Sequence, residues 1–441
     1  MGTVLDEVTE DSWLRGHFRD AEWVAEYLDA GAPSGDPIYL SLGETWSEAP
    51  EGLARLLGSG LPSYAHGYVI SQYGLPALQR LLRGYIARTH ALPPGFTAGA
   101  GFEVAVTCSG TRNAMFDYGR LILADAPRTA SPTVIAPAPG WDYRGVFAGL
   151  GFRMTYLPLA ASQGFQPAPE ALREALARAG DPRGVIVVIN AQHNPTGVNW
   201  DEDLVADMVR LTVEARANLL IDDAYYGVTD PGTAPTSALR LLAERLARPG
   251  AGDRPVRWLA VRSLGKQFNC NGWGIGVSIA PPPILDRLVN DFQLQRSFTA
   301  AVPLQNAMAR WLDGGESEPY LRAFRQGCAD KRAWAADFLR QELGCPAEAL
   351  CPGNCTSYFL FRVPPPYAAD ARDGVTRFRR DCLRRAGVLL GAGTMTPQAA
   401  PEEGQAMAVP YVRMFLGPPL SSVETALHRL AEAGMNWERS C

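Results

Sequence analysis

The sequence predicts an α/β fold: a large domain built on a mixed, mostly parallel sheet flanked by helices, plus a smaller α+β domain. Three observations predict it. The chain has 441 residues, too many for one small core. From about Phe102, short apolar runs ending in turn residues alternate with helical patterns. That order gives parallel strands with helices on both faces. After about Gly314 the alternation stops, and a long amphipathic helix precedes separated strand-like runs.

In chain order, "EVAVTCSG" reads as a buried strand running into a glycine turn, and "TRNAMFDYGRLILA" has helical spacing. "TVIAPAPG" is strand then loop, and "YRGVFAGLG" is helix. "GVIVVINAQHNPTG" is again strand then loop, and "DEDLVADMVRLTVEAR" is a strongly amphipathic helix. "NLLIDDAYYG" and "VRWLAVRS" complete the series of strands. Beyond them, "SEPYLRAFRQGCADKRAWAADFLRQEL" predicts a long helix. "TSYFLFRVP" and "YVRMFLG" read as strands with the helical "VTRFRRDCLRRAG" between them, and "SSVETALHRLAEAG" closes the chain as a helix. These patterns place the large domain at residues 44–313 and the small one at 1–43 and 314–441. In such a fold ligands bind at the carboxyl ends of the strands.

Composition narrows the function. Hydrophobic residues make up 47% and charged residues 20%, the balance of a globular protein. A formal net charge of −5 argues against a nucleic-acid surface and leaves small-molecule chemistry open. The acidic start has no basic stretch followed by an apolar one, so no signal peptide is expected. Asp6 stands where a myristoylation motif needs Ser or Thr, and no apolar run is long enough for a bilayer. Eight cysteines without a CxxC suggest a reduced, cytoplasmic protein with no metal site.

Among 41 cationic residues only two are lysines, Lys266 and Lys331. Lys266 lies in "SLGKQFNCNGWGIG", just past a predicted strand, among small residues. A lysine kept there is suited to a Schiff base with a carbonyl, against the plain alternative of a surface lysine. "IDDAYYG" puts two carboxylates at the end of an apolar strand. A carboxylate so placed can hold a pyridinium nitrogen protonated, where a lone Asp-Asp is more often a cap or a solvated turn. "TCSGTRNAM" brings Ser-Gly-Thr to a strand–helix turn, where free N–H groups and the helix dipole favour a phosphate as readily as a plain N-cap. "HNPTGVNW" by itself signals a tight loop.

Their order is more telling than any one of them. A phosphate turn, then NPTG, D-x-x-Y and S-x-x-K on successive strand ends resembles the fold-type-I pyridoxal-phosphate enzymes, specifically the class I/II aminotransferase family. The resemblance spans nearly the whole chain, from "IYLSLGETW" and "SQYGLPALQRLL" to "YVRMFLGPP". It implies pyridoxal 5'-phosphate as cofactor, an α-amino acid or amino-acid conjugate as substrate, and a homodimer with shared active sites. By the same resemblance Lys266 is the lysine that takes the cofactor aldehyde and shuttles the α-proton. Asp222 is the partner of the ring nitrogen, and Asn194 and Tyr225 the partners of the phenolic oxygen. Ser109, Gly110, Thr111 and Ser263 are phosphate binders. Arg413 forks the substrate carboxylate, with Gly43 and Asn194 nearby.

The sequence departs from the family at two points. The usual G-x-R-x-G after the lysine is here "GWGIG", so the phosphate arginine falls on Gly274. Arg112 or Arg296 is the expected replacement, and Arg296 is alternatively a ligand of a distal acidic group or phosphate on the substrate. The customary ring-stacking aromatic is displaced in "APAPGWDYRG", which leaves Trp141 or Tyr143, with Trp141 preferred. Tyr68 and Tyr73 are candidates to cross a dimer interface, Tyr73 reaching substrate. Transamination is the expected reaction. The alternative is a specialised lyase or synthase, by elimination, replacement, decarboxylation-coupled oxidation or cyclisation, in natural-product biosynthesis. "SQYGLPALQ" and "PGWD" faintly resemble aminocyclopropane-carboxylate synthases, which act on S-adenosylmethionine. A non-catalytic aminotransferase-like module, such as the effector domain of a transcription regulator, is the reading from another class; it would need a DNA-binding segment, which the short acidic stretch before "IYLSLGE" is not expected to supply.

Overall fold

The computed structural model describes residues 19–41, 49–127, 130–248, 256–371, 373–394 and 410–437. The strands are β1 (Ile38–Leu40), β2 (Glu103–Thr107), β3 (Thr133–Ala138), β4 (Arg153–Pro158), β5 (Val185–Ile189), β6 (Asn218–Asp222), β7 (Trp258–Ser263), β8 (Gly276–Ala280), β9 (Leu350–Cys351), β10 (Tyr358–Arg362), β11 (Val388–Ala392) and β12 (Tyr411–Phe415). Among the helices, α1 is Arg19–Asp29, α2 Pro76–Thr89, α3 Thr111–Asp125, α4 Glu202–Glu214 and α5 Leu264–Gln267. Four more are α6 (Val302–Asp313), α7 (Ser317–Gln341), α8 (Gly374–Ala386) and α9 (Leu420–Glu432).

The chain divides into two units. One holds Glu48–His193 and Val198–Phe324; the other holds Met1–Ser47, Asn194–Gly197 and Arg325–Cys441. The larger unit carries a seven-stranded sheet in the order β2-β8-β7-β6-β5-β3-β4. β8 pairs antiparallel with both β2 and β7, and the pairs from β7 to β4 are parallel. β5 and β6 are buried along their whole length, as strands covered on both faces must be, and their near-continuous apolar sequences follow from that. Between them, α4 starts at Asp201, whose carboxylate accepts from the N–H groups of Asp203 and Leu204 and so satisfies two of the helix's unpaired donors. Tyr118, Leu121 and Ile122 of α3 pack with Ile186, Leu220 and Leu259 of the sheet.

The smaller unit carries a five-stranded sheet in the order β1-β11-β12-β10-β9, with β1 parallel to β11 and the other pairs antiparallel. Its core joins Phe359, Phe361 and Val412 of the sheet to Phe378 of α8 and Leu427 of α9. The predicted α/β architecture is therefore present.

Candidate active site

In the larger unit, three strand ends bring the chemistry-bearing residues to one end of the sheet. After β2 the chain turns through Ser109 (φ 58°) and Gly110 (φ 86°) before α3 begins at Thr111. The Gly110 N–H donates to the Gly274 carbonyl at 2.6 Å, which ties this turn to the loop after Lys266. No side chain caps α3 at Gly110. Its first N–H groups have no intrahelical acceptor, and the helix dipole makes that end an anion site.

β6 ends at Asp222, whose side chain is buried. Tyr143 donates its phenolic O–H to Asp222 Oδ2 at 2.7 Å, and the Ala224 N–H reaches Oδ1 at 3.2 Å. Asn190 Nδ2 holds the Asp222 backbone carbonyl at 2.6 Å. Burial pushes the Asp222 carboxyl up, against the pull of the Tyr143 hydroxyl, the Ala224 N–H and the Lys266 charge. The same burial and the carboxylate's charge push the Tyr143 phenol well above its ordinary value.

β7 leads into α5, a single turn bearing half-buried Lys266. Ser263 Oγ accepts from the Lys266 N–H at 3.3 Å. Gly265 is needed here, because a Cβ at that position would lie 2.9 Å from Asn271 Cα. Lys266 Nζ sits 5.0 Å from the centroid of the Tyr225 ring. Lys331 is occupied otherwise: its Nζ donates to the Pro418 carbonyl at 2.9 Å, and burial lowers its pKa.

The other predicted residues of this unit fall as follows. Arg112 bonds Asp142 Oδ2 at 3.1 Å and lies 4.4 Å over the Trp141 ring. Trp141 is half-buried and meets Tyr143 edge-on. Arg296 is bound through Nε and Nη2 to Asp117, a carboxylate with only 5% exposure, so its charge is largely met. Tyr73 hydrogen-bonds Asp286 and Asn290, and its phenol is pushed up to about 12, mainly by burial.

In the smaller unit Arg413, midway along β12, is buried. Its Nη1 donates to Asn194 Oδ1 at 2.8 Å and its Nη2 to the Ser41 carbonyl at 3.3 Å. The guanidinium lies 4.0 Å over the Tyr358 ring, a cation–π contact. Gly43 lies outside the described residues. Sequence reasoning missed Tyr143 as the partner of Asp222, having considered it for stacking, and missed Tyr358 beneath Arg413. Neither contact has a local signal: Tyr143 is 79 residues from Asp222 along the chain.

The chain is similar to known proteins. A model of the aminotransferase class I and II family matches residues 106–402. A probable aspartate/prephenate aminotransferase of Thermus aquaticus is 23% identical over 404 residues, covering 90% of this chain and 91% of that protein. Aspartate aminotransferase of Geobacillus stearothermophilus is 24% identical over 409 residues, covering 90% and 92%. Among solved structures, Thermus thermophilus aspartate aminotransferase with maleate matches with a TM-score of 0.74 at 22% identity, over 95% of this chain and 98% of that one. Substrate-bound BacF from Bacillus subtilis matches with a TM-score of 0.75 at 18% identity, over 96% and 97%. The structures speak for the fold and the family match for the chemistry: the chain belongs to the aminotransferase class I and II family and is a pyridoxal-phosphate-dependent aminotransferase.

Proposed function

We propose that Lys266, Asp222, Tyr225 and the Ser109–Thr111 turn hold the cofactor, and that Arg413 receives the α-carboxylate of the amino-acid substrate. The observation carrying this reading is Asp222: a buried carboxylate, hydrogen-bonded by Tyr143 and Ala224, in the same loop cluster as a half-buried lysine and an uncapped helix start. The donor set fits pyridoxal phosphate, because each charged part meets its complement: an anion at the α3 terminus, a cationic ring nitrogen at Asp222 and an aldehyde at Lys266. When bound, the cofactor supplies an electron sink for the charge left as the α-proton departs.

This chain's residues do the rest. Asp222 holds a proton on its ring-nitrogen partner. Lys266 Nζ takes and returns the α-proton. Tyr225 and Asn194 donate to the phenolic oxygen. Arg413 Nε has no hydrogen-bond partner among the described residues, which keeps a donor for a carboxylate. Of the two candidate replacements for the arginine absent at Gly274, Arg112 is the better one. It stands in the first turn of α3 with a partly exposed partner, Asp142, whereas Arg296 is committed to the buried Asp117. The Arg112 guanidinium also braces Trp141, the aromatic proposed to stack on the ring. Tyr73 as a substrate contact, Ser263 as a phosphate ligand and Gly43 beside the carboxylate belong to the same proposal, as does a cofactor domain at 44–313.

A second copy of the chain completes the proposed enzyme. Tyr68 is 84% exposed and Ile70 fully so, with Phe298 edge-on to Tyr68 at 5.5 Å, an apolar patch suited to burial between subunits. The seven described cysteines form no disulfide with one another, which supports a reducing, cytoplasmic setting. No helix among the described residues is long and apolar enough to cross a membrane.

The test is direct. Wild type purified with the cofactor is mixed with candidate amino acids and thioether conjugates alone, and products are identified by mass spectrometry. A keto acid with the aminated cofactor left behind is expected. Ammonia, a thiol or carbon dioxide released instead would assign the specialised lyase branch proposed for natural-product biosynthesis. Lys266→Ala should lose both the visible absorbance of the bound cofactor and turnover, while Lys331→Ala keeps both. Absorbance surviving in Lys266→Ala defeats the assignment.

A further inference from the structure

The residues just proposed have sequence neighbours that meet in a second, buried polar cluster. Asp223 follows Asp222, Tyr226 follows Tyr225, Arg262 precedes Ser263 and Gln267 follows Lys266. All four are buried, and Arg262 is 1% exposed. An arginine keeps its charge in a protein, so a buried one is costly unless its donors are met. Arg262 Nη1 donates to Thr89 Oγ1 at 2.6 Å and Nη2 to the Tyr85 hydroxyl at 3.3 Å. Its guanidinium lies between the Tyr85 ring at 4.7 Å and the Tyr226 ring at 5.0 Å. Tyr85 and Thr89 belong to the last turns of α2.

Three more bonds close the cluster. The Tyr226 hydroxyl donates to the Thr89 carbonyl at 3.0 Å. Gln267 Nε2 donates to the Tyr226 carbonyl at 2.9 Å, and the Tyr85 hydroxyl reaches Gln267 Oε1 at 3.4 Å. His90, just past α2, stacks on Tyr226 with ring centroids 3.8 Å apart, and its Nε2 lies 3.9 Å from Asp223 Oδ2. The Asp222–Tyr226 segment, the Ser263–Gln267 segment and the end of α2 are thus joined both by direct hydrogen bonds and through the Arg262 cation. Asp222 and Ser263 end the directly paired strands β6 and β7, but beyond them neither segment is carried by a long element: α5 is four residues long, and the chain after Asp222 is a turn.

We propose that Arg262 is a positioning residue of this active site, setting Tyr225 and Lys266 relative to the strand-held Asp222 by bracing the two segments beyond β6 and β7 against the end of α2. The proposal rests on the reading that Asp222 and Lys266 hold the cofactor. Its mechanism is geometric. Cofactor affinity depends on a carboxylate and an amine meeting opposite ends of one rigid ring, so a brace that fixes their separation is felt at both contacts.

The experiment uses the full chain. Wild type, Arg262→Met, Thr89→Val and a core control, Leu427→Ala in the smaller unit, are stripped of cofactor and titrated with pyridoxal phosphate. The readouts are the dissociation constant, the visible absorbance of the complex against pH, and the unfolding midpoint of each apoprotein. Arg262→Met should bind at least about tenfold more weakly, the loss of charged hydrogen bonds, and show a displaced absorbance pH profile. Thr89→Val, which removes one acceptor, should weaken binding about threefold. Leu427→Ala should lower the unfolding midpoint and leave affinity and profile unchanged. Should Arg262→Met not fold, Thr89→Val decides alone. Binding within twofold of wild type by the decisive variant, or an equal loss in Leu427→Ala, overturns the proposal. If wild type itself shows no lysine-dependent absorbance, the cofactor assignment has failed rather than the brace.

Discussion

At the scale of single residues, the contact that bears most on the proposed chemistry is Tyr143 to Asp222. Two forces act on that carboxylate in opposite directions. Burial raises its pKa, and the Tyr143 hydroxyl, first among the opposing contacts, lowers it. Removing the hydroxyl leaves burial less opposed, so Asp222 becomes easier to protonate and a poorer partner for a cationic ring nitrogen. A hydrogen bond to a charged group contributes about 1.5–3 kcal/mol. Tyr143→Phe keeps the ring that packs edge-on to Trp141 and removes only the oxygen. It should therefore weaken cofactor binding by about tenfold or more and depress turnover, with the unfolding midpoint little changed. Equal cofactor affinity in Tyr143→Phe and wild type, measured by equilibrium titration, would show that the bond does not support Asp222.

At the scale of elements, the turn proposed to hold the phosphate explains why no arginine stands at position 274. Gly274 has φ 61°, and a Cβ there would lie 3.1 Å from Ser109 Cα, while its carbonyl holds the Gly110 N–H. The two loops touch backbone to backbone, which a side chain would prevent. Gly274→Arg should restore the family's residue and lose function with it: the left-handed conformation alone costs about 1–2 kcal/mol for a residue with Cβ, and the clash moves Ser109. A lower unfolding midpoint and weaker cofactor binding are expected, and tighter binding would refute the backbone argument. The same elements show what a sequence reveals. β5 and β6 announce themselves because burial on both faces demands apolar runs, and motifs at strand ends mark Asp222, Lys266 and the Ser109 turn in order. β8 is hidden because its first residue closes the glycine-rich "GWGIG". β4 is obscured by exposed Arg153 and Pro158 at its ends, and β1 and β9 are too short to register. Contacts such as Arg262 to Thr89, 173 residues apart, depend on which elements become neighbours, and periodicity does not encode that.

At the scale of the whole molecule, the buried titratable groups set how stability responds to pH. Burial pushes the Asp223 carboxyl from 3.8 to about 8 despite the opposing charge of Arg262, and the neighbouring Asp222 charge adds to the rise. Burial moves the histidines the other way: His193 falls from 6.5 to about 3, and His90 falls well below 6.5 through burial and Arg262. Below pH 6.5 the unfolded chain binds protons that the folded histidines refuse, which costs stability as pH drops, while the raised carboxyls act in the opposite sense. Above about 6.5 the unfolded histidines lose their protons as well, so approaching about 8 the raised Asp223 carboxyl is the main group of these that still differs. The folded protein there keeps a proton on Asp223 that the unfolded chain has released. Stability of the apoprotein must then fall as pH rises, by at most about 1.4 kcal/mol per pH unit for each such proton. Asp223→Asn removes the titration while keeping the shape. Its unfolding midpoint should be nearly flat across that window where the wild-type midpoint declines, and parallel declines in the two proteins would place the proton elsewhere.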